Sequence, residues 1–446
     1  MSLKTRKILF IIFVLVFLIL TPAISFYASG YSLGNGLSLQ KTGILILKSE
    51  PSGAKIYINN KLQQNFINKF FNKDQGFLTT PQKIKALIPG DYIIKVEKDG
   101  YWPWEKKLTI KPGESTFAED IILFKNDQPA LIKNGNTETG KISLVNDKLI
   151  SINNNTISFQ TDNNGIRDFI FPEKTTDDIK VSPEKSKIIA GRYIYNLNDL
   201  NSDPVSLDKL IGAGSKNIQW GKNENEIFYI SESQIYFFDI ATNKSSSLFQ
   251  NQNFSDYLAK NNLIFYISNV GSTSELNVYD KDKNELIKKI SLPLSTYVFN
   301  NPDNNLINLY DSSHNILYLI DPLSPVKQLQ ETISNVKQSF WLNDKTLIFA
   351  NNFEIWSLDL NYSKKTLLTR ISNEIKALAP QPKKNYIFFS TNAGIYSLEL
   401  DDREKYNITE LMKLEKINNL IINKKGDSLF FNGKIGEQEG VFKLEI

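Results

Sequence analysis

The 446-residue chain contains no cysteine and one histidine, and these two scarcities exclude more chemistry than any motif supplies. Without cysteine there is no disulfide, no thiolate nucleophile, no Cys-ligated zinc and no lipid-modified cysteine, and redox state gives no clue to compartment. The single histidine, His314, lies in the turn Asp311-Ser312-Ser313-His314-Asn315 between two strand-like runs. A Ser-His-Asp triad would have to use it, and no Gly-x-Ser-x-Gly elbow on a strand-to-helix turn accompanies it, so it is predicted to be a turn residue. One imidazole cannot build an ordinary zinc site. A phosphate-cradling Gly-x-x-x-x-Gly-Lys-Ser/Thr is also missing, and no cofactor is predicted.

Charge of one sign is lacking as well. The formal net charge is +4, and Lys4, Arg6 and Lys7 supply three of those charges, leaving 49 basic residues against 48 acidic. Nucleic-acid binding needs a basic face that displaces phosphate counterions, and no such cluster stands out. Carboxylates are plentiful but nothing selects a catalytic pair. Asp280-Lys281-Asp282-Lys283-Asn284 has the oxygen spacing of the first half of a calcium loop, yet lacks its glycine and closing glutamate, which fits a solvated hairpin turn.

Against these absences stands one long apolar run. From Ile8 to Ser29 there is no charge, and twenty-two helical residues would reach roughly 33 Å, enough for a hydrocarbon core of about 30 Å. The preceding basic residues should hold that end in the cytoplasm and place the rest outside. A cleaved signal peptide with small residues at Ala28-Ser29-Gly30 is the alternative, and it exports the remainder equally. Residues 1–30 are thus a signal anchor, and 31–42, with Gly34 and Gly36, are predicted to be a flexible linker.

Residues 43–127 alternate strand runs with turns. The strand runs are Ile44–Leu47, Lys55–Ile58, Asp91–Val96, Lys107–Ile110 and Ile121–Phe124, which predict a small β-sandwich. The order SEPSGAKIYINNK, Thr80-Pro81, IPGDYIIKVEKDGY and Pro112-Gly113 resembles the PEGA domain, with Pro51, Gly53, Ala54, Pro89, Gly90 and Gly100 at its turns. The resemblance implies an extracytoplasmic, non-catalytic β module, often joined to a membrane anchor or to other surface domains. Two features exceed that pattern. The long connection between Lys61 and Pro81 places Phe66/Phe70 and Ile67/Phe71 at helical i,i+4 spacing, suited to a membrane or partner contact or to internal packing. Tyr101-Trp102-Pro103-Trp104 clusters aromatics that could stack on sugars or fill a core, and an extended segment puts Trp102 and Trp104 on one face.

Residues 128–446 repeat. The stretch VKQSFWLNDKTLIFANNFEIWSLDL (Val336 to Leu360) holds three short strands, and the same order of parts recurs at Asn217–Ile240, Tyr297–Asp321 and Leu378–Leu400. First strands fall near Leu144, Val181, Trp220, Leu258, Phe299, Trp341, Pro380 and Ile422, 37 to 42 residues apart. A unit of about forty residues carrying three or four strands is the mark of a β-propeller blade. Eight blades are predicted, with seven as the alternative. The last unit is one strand short, so Ala130-Leu131-Ile132, or else Ile121 to Phe124, should complete it. Ile408 to Leu414 is the one candidate for a short helix.

VSPEKSKIIAG (Val181 to Gly191) and, more faintly, NPDNNLINLY (Asn301 to Tyr310) resemble the repeat turns of TolB-like and WD-repeat-like propellers. That likeness implies a rigid ring binding partners in its channel or on its loops. The strict Gly-His and Trp-Asp pairs are absent. The fold class is therefore all-β: a transmembrane helix, a PEGA-like sandwich and a propeller of seven or eight four-stranded blades. The function expected is a membrane-tethered, extracytoplasmic scaffold of the bacterial cell envelope with a protein or glycan partner. A propeller glycosidase or lyase acting on surface polysaccharide is the enzyme alternative, and a surface-coat spacer is a third reading. Candidate binding residues are Tyr101, Trp102, Trp104, Phe66 and Phe70.

Overall fold

A computed structural model describes residues 3–33, 39–64, 76–138, 140–161, 165–171, 179–249, 254–300, 306–382 and 385–446. Helix α1 (Leu3–Ala28) contains no buried residue, so its apolar surface is covered by nothing in the protein. It is the one helix among the described residues long and apolar enough to cross a membrane.

The segment after it differs from the flexible linker that the sequence suggested. Strands β1 (Tyr31–Leu33) and β2 (Leu39–Lys41) pair antiparallel, and the Thr42 N–H and hydroxyl both donate to the Gly30 carbonyl, at 2.7 and 2.9 Å. The Gly113 N–H donates in turn to the Thr42 carbonyl at 3.0 Å, so the end of the helix is tied to the small β module. Gly34 and Gly36 lie outside the described residues.

That module is two facing sheets. Strands β3 (Gly43–Glu50), β4 (Lys55–Ile58), β5 (Lys61–Leu62), β6 (Gln82–Leu87), β7 (Gly90–Glu97), β8 (Trp104–Ile110) and β9 (Ser115–Ile122) assemble in the orders β6-β3-β9 and β5-β4-β7-β8. Strict alternation in β3 and β8 sends Leu45, Leu47, Leu108 and Ile110 inward, where they meet Ile56, Ile94 and Val96. Four of the five strand runs of the sequence fall on strands, the fifth, Ile121 to Phe124, covers only the end of β9, and β5 and β6 are additional. At the turn read as the module's signature, the Thr80 hydroxyl and carbonyl accept from the N–H groups of Ala54 and Gly53, at 3.1 and 2.7 Å. Gly53 has φ of +81°, which a side chain would strain.

Eight four-stranded sheets follow in a ring, as the larger of the two blade counts expected. Blades one to seven occupy residues 141–170, 180–206, 216–249, 254–293, 297–334, 338–370 and 375–413, each taking four consecutive strands. All eight sequence markers fall on the first strand of their blade. Second strands are apolar on both faces because each blade is packed between two others. In blade six, Leu347 and Phe349 share a core with Leu317 and Leu319 of blade five, while Ile348 and Ala350 share one with Ile387 and Phe389 of blade seven.

Blade eight closes the ring as the first of the two sequence candidates proposed. Strand β10 (Ala130–Asn134) pairs with Gln438–Glu445, followed by Ser428–Ile435 and Lys416–Ile422. Successive residues of β10 face opposite sides of the blade, so Leu131 packs on the core between blades seven and eight and Ile132 on the core between blades eight and one, with a bulge in the pairing between Leu131 and Lys133. Ile121 belongs instead to β9, and Phe124 inserts against Tyr386 and Phe388 of blade seven with edge-on rings 5.5 and 5.6 Å apart. Ile408 to Leu414, expected as a helix, is the outer strand Ile408–Lys413 of blade seven. Its Leu411 alone on the strand is buried, in the core between blades seven and eight, as an outermost strand requires.

Candidate functional site

Lys106 stands at a position of β8 whose alternation calls for an apolar residue. Its side chain is wholly buried, and its Nζ lies 3.0 Å from Oε2 of Glu399, 3.5 Å from Oδ2 of Asp401 and 2.7 Å from the Asp401 carbonyl, to which it donates. The neighbouring Trp104 donates its Nε1–H to the Glu399 carboxylate, with both oxygens at 3.2 Å. Around this pair, Arg403 grips Asp401 and donates to the Phe117 carbonyl at 2.6 Å. The Lys107 N–H donates to Glu404 at 2.7 Å, Asn407 donates to the Glu105 carbonyl at 2.9 Å, and Lys125 pairs with Glu445 at 2.7 Å. Burial works against the charge of Asp401, but Arg403 and Lys106 outweigh it and hold the carboxyl below the usual aspartate range.

The aromatic cluster that the sequence nominated sits at this seam. Trp104 is buried, Tyr101 packs on the module core beneath the Lys98 ammonium, and Trp102 packs on the core shared by blades seven and eight. These rings are engaged inside the protein. Phe66 and Phe70 lie outside the described residues. Lys106, which sequence reasoning missed, carried one signal: a cation in the inward phase of an otherwise alternating strand.

The seam residues share a position in the blade plan. Glu399 to Asn407 join the third and fourth strands of blade seven, and Glu445 ends the third strand of blade eight. In an antiparallel four-stranded sheet, first-to-second and third-to-fourth turns emerge at the same end. The module therefore covers part of one rim. The opposite rim, built from second-to-third turns and blade-to-blade connections, carries none of these contacts.

The first strands line the channel between the rims, and its two walls differ. Over blades two to five the wall mixes polar and apolar side chains around a recess of about 680 Å³. Here side chains bridge blades: Trp220 Nε1–H to the Lys180 carbonyl at 2.9 Å, Gln219 to the Tyr257 carbonyl at 2.7 Å, and the Tyr257 hydroxyl to the Asn217 carbonyl at 2.6 Å. Asp256 accepts from Asn217 at 2.6 Å and from the Phe299 N–H at 3.0 Å. Burial pushes its carboxyl above the usual range despite those bonds. The facing wall is apolar, with Leu144, Trp341, Leu378, Pro380 and Ile422 around about 590 Å³.

On the open rim, His314 Nδ1 lies 2.8 Å from Oδ2 of buried Asp311 and 3.4 Å from the Ser295 hydroxyl, which itself bonds Asp311 at 2.5 Å. A triad places serine and aspartate on opposite ring nitrogens, whereas here both sit at Nδ1, the geometry of a fastened turn. Asp280 likewise accepts the N–H groups of Asp282 and Lys283 of its own turn, at 3.0 and 3.1 Å. Between blades five and six the same rim opens a cleft of about 470 Å³ bordered by Asn335, Lys337, Asn352, Phe353 and Arg370.

No family model matches the chain, and no curated protein matches it in sequence. Solved structures are similar in fold. One, described as a eukaryotic initiation factor, is 9% identical with a TM-score of 0.48, over 72% of this chain and 88% of that one. A chain of a mitotic checkpoint complex is 9% identical with a TM-score of 0.42, over 72% and 93%. Hydrazine synthase of Kuenenia stuttgartiensis is 9% identical with a TM-score of 0.35, over 72% and 97%. No function is carried over from likenesses of this strength.

Proposed function

We propose that this chain is a recognition scaffold of the bacterial cell envelope, held at the membrane by α1 with its β domains on the extracytoplasmic side. The PEGA-like module acts as a rigid adaptor between anchor and ring. The open rim of the TolB-like or WD-like propeller receives a protein or glycan partner. The observation that supports this reading is the seam: a buried lysine of the module, satisfied by two carboxylates of blade seven, puts the adaptor on one rim, and among the described residues the other rim has no contact with it. A buried charge is costly unless paired, so the module and ring are expected to move as one body.

The reading includes no catalysis. A glycosidase needs two carboxyl groups roughly 5 to 10 Å apart in an open cleft. Asp256 is the one carboxylate among the described residues lining the wall of blades two to five, and two donors hold it. In the rim cleft, Glu354 is held below the usual carboxylate range by hydrogen bonds from Asn351, Trp356 and Arg370, which suits an anchor and not a general acid.

The absence of cysteine makes topology directly testable. Tyr362 is 80% exposed and takes part in none of the seam contacts described above. A Tyr362→Cys variant should react with a membrane-impermeant maleimide in intact cells. Labelling only after the membrane is permeabilised would place the ring in the cytoplasm and overturn the proposal.

A further inference from the structure

We propose that the cleft between blades five and six binds an acidic saccharide, an inference that rests on the platform reading and gives it a site and a ligand class. Each side of the cleft comes from a different kind of segment. Asn335 and Lys337 belong to the connection between the two blades, Asn352 and Phe353 to the second-to-third turn of blade six, and Arg370 ends that blade's outer strand.

The turn is held firmly while its ring is left out. Asn351 Oδ1 accepts the N–H groups of Phe353 and Glu354, at 2.9 and 2.8 Å, yet the Phe353 side chain remains 46% exposed. A large apolar ring displayed by a fixed turn is a surface on which the C–H face of a sugar can stack. Arg370 is oriented in the same way: its Nε and one terminal nitrogen lie 2.7 and 2.6 Å from Oε1 of Glu354. The guanidinium carries five donors in a rigid fork, so the remaining ones point away from the pair already made.

Three further groups have no hydrogen-bond partner among the described residues: the Lys337 ammonium and the carboxamides of Asn335 and Asn352. Amides both donate and accept, which matches vicinal hydroxyls. The two cations face one carboxylate, Glu354, that is already taken by three donors, so the cleft favours an anionic group on the ligand. At about 470 Å³ it is within the common range for small-ligand sites, roughly 300–1,000 Å³. A hexuronate or sialate presents a carboxylate, neighbouring hydroxyls and an apolar C–H face together. An acidic peptide would use the cations but has no repeating feature for the amides and the ring.

The test uses the full chain in detergent micelles and isothermal titration. The probes are tetragalacturonate, a hyaluronan tetrasaccharide and sialyllactose, with maltotetraose as neutral control and tetraglutamate as acidic peptide. At least one acidic sugar should bind, more weakly as salt rises, and Phe353→Ala and Lys337→Gln should each raise its Kd at least tenfold without moving the unfolding midpoint. Binding of none of the three, equal binding by both variants, or equal binding of tetraglutamate would overturn the assignment. Retention of the wild-type chain on cell walls freed of lipid separates the two readings. Retention that persists while the probes fail removes only this site, whereas loss of retention with the probes bound contradicts the envelope role.

Discussion

Single residues decide how the two β parts are joined, and Lys106 decides most. Removing one partner of a buried ion pair leaves the other uncompensated, a loss of about 3–5 kcal/mol, whereas replacing both is far milder. Lys106→Ala should therefore lower the unfolding midpoint markedly, and a Lys106→Met/Glu399→Gln double variant should recover much of the loss; equal damage in the two would mean that the pair is not coupled. Asp401 adds a pH dependence. Its carboxyl is depressed in the folded state, so its contribution is present above the ordinary aspartate value of about 3.9 and fades as pH falls through the lower folded value. Acid titration of the midpoint should show this loss in the wild type and less of it in Asp401→Asn. None of these pairings is legible in sequence, since Trp104 and Glu399 are 295 residues apart and no local pattern links them. What could be seen was the misplaced cation in WEKKLTI.

At the level of elements, strands were easier to locate than their partners. The eight blades were visible because a blade between two others needs a second strand such as Leu347-Ile348-Phe349-Ala350, apolar on both faces and bounded by polar turns. The outer strands were harder. Ile408 to Leu414 looked helical because an outermost strand buries little, and β6 was missed since Gln82–Leu87 alternates exposed lysines with half-buried positions and buries no residue fully. The linker was misjudged for a different reason: its glycines suggested freedom, while its last residue, Thr42, bonds back to Gly30 just before its start, a pairing no local pattern announces. Ring closure was predictable from a missing strand, and it has a sensitive point. A Cβ on Gly440, whose φ is +154°, would lie 2.0 Å from the Lys133 carbonyl in β10. Gly440→Val should strain this pairing by about 1–3 kcal/mol or more and speed amide exchange in residues 130–134. Unchanged exchange there would show that β10 is not what closes the ring.

For the whole molecule, the topology assigns different work to the two rims. The third-to-fourth turn of blade seven receives the module, and among the described residues the rim of second-to-third turns carries none of these contacts. In the proposed membrane role of α1, its tie to the module through Thr42 and the module's tie to the ring through Lys106 would hold that rim at a fixed distance and direction from the membrane. The claim of one rigid body is tested most directly by the distance between module and ring. In the naturally cysteine-free chain, spin labels at Lys48→Cys on β3 and Tyr362→Cys on blade six are both exposed and lie on opposite sides of the seam. Pulsed dipolar spectroscopy should give a single narrow distance distribution that broadens when Lys106→Ala is added. A broad distribution in the otherwise unaltered chain would contradict the account.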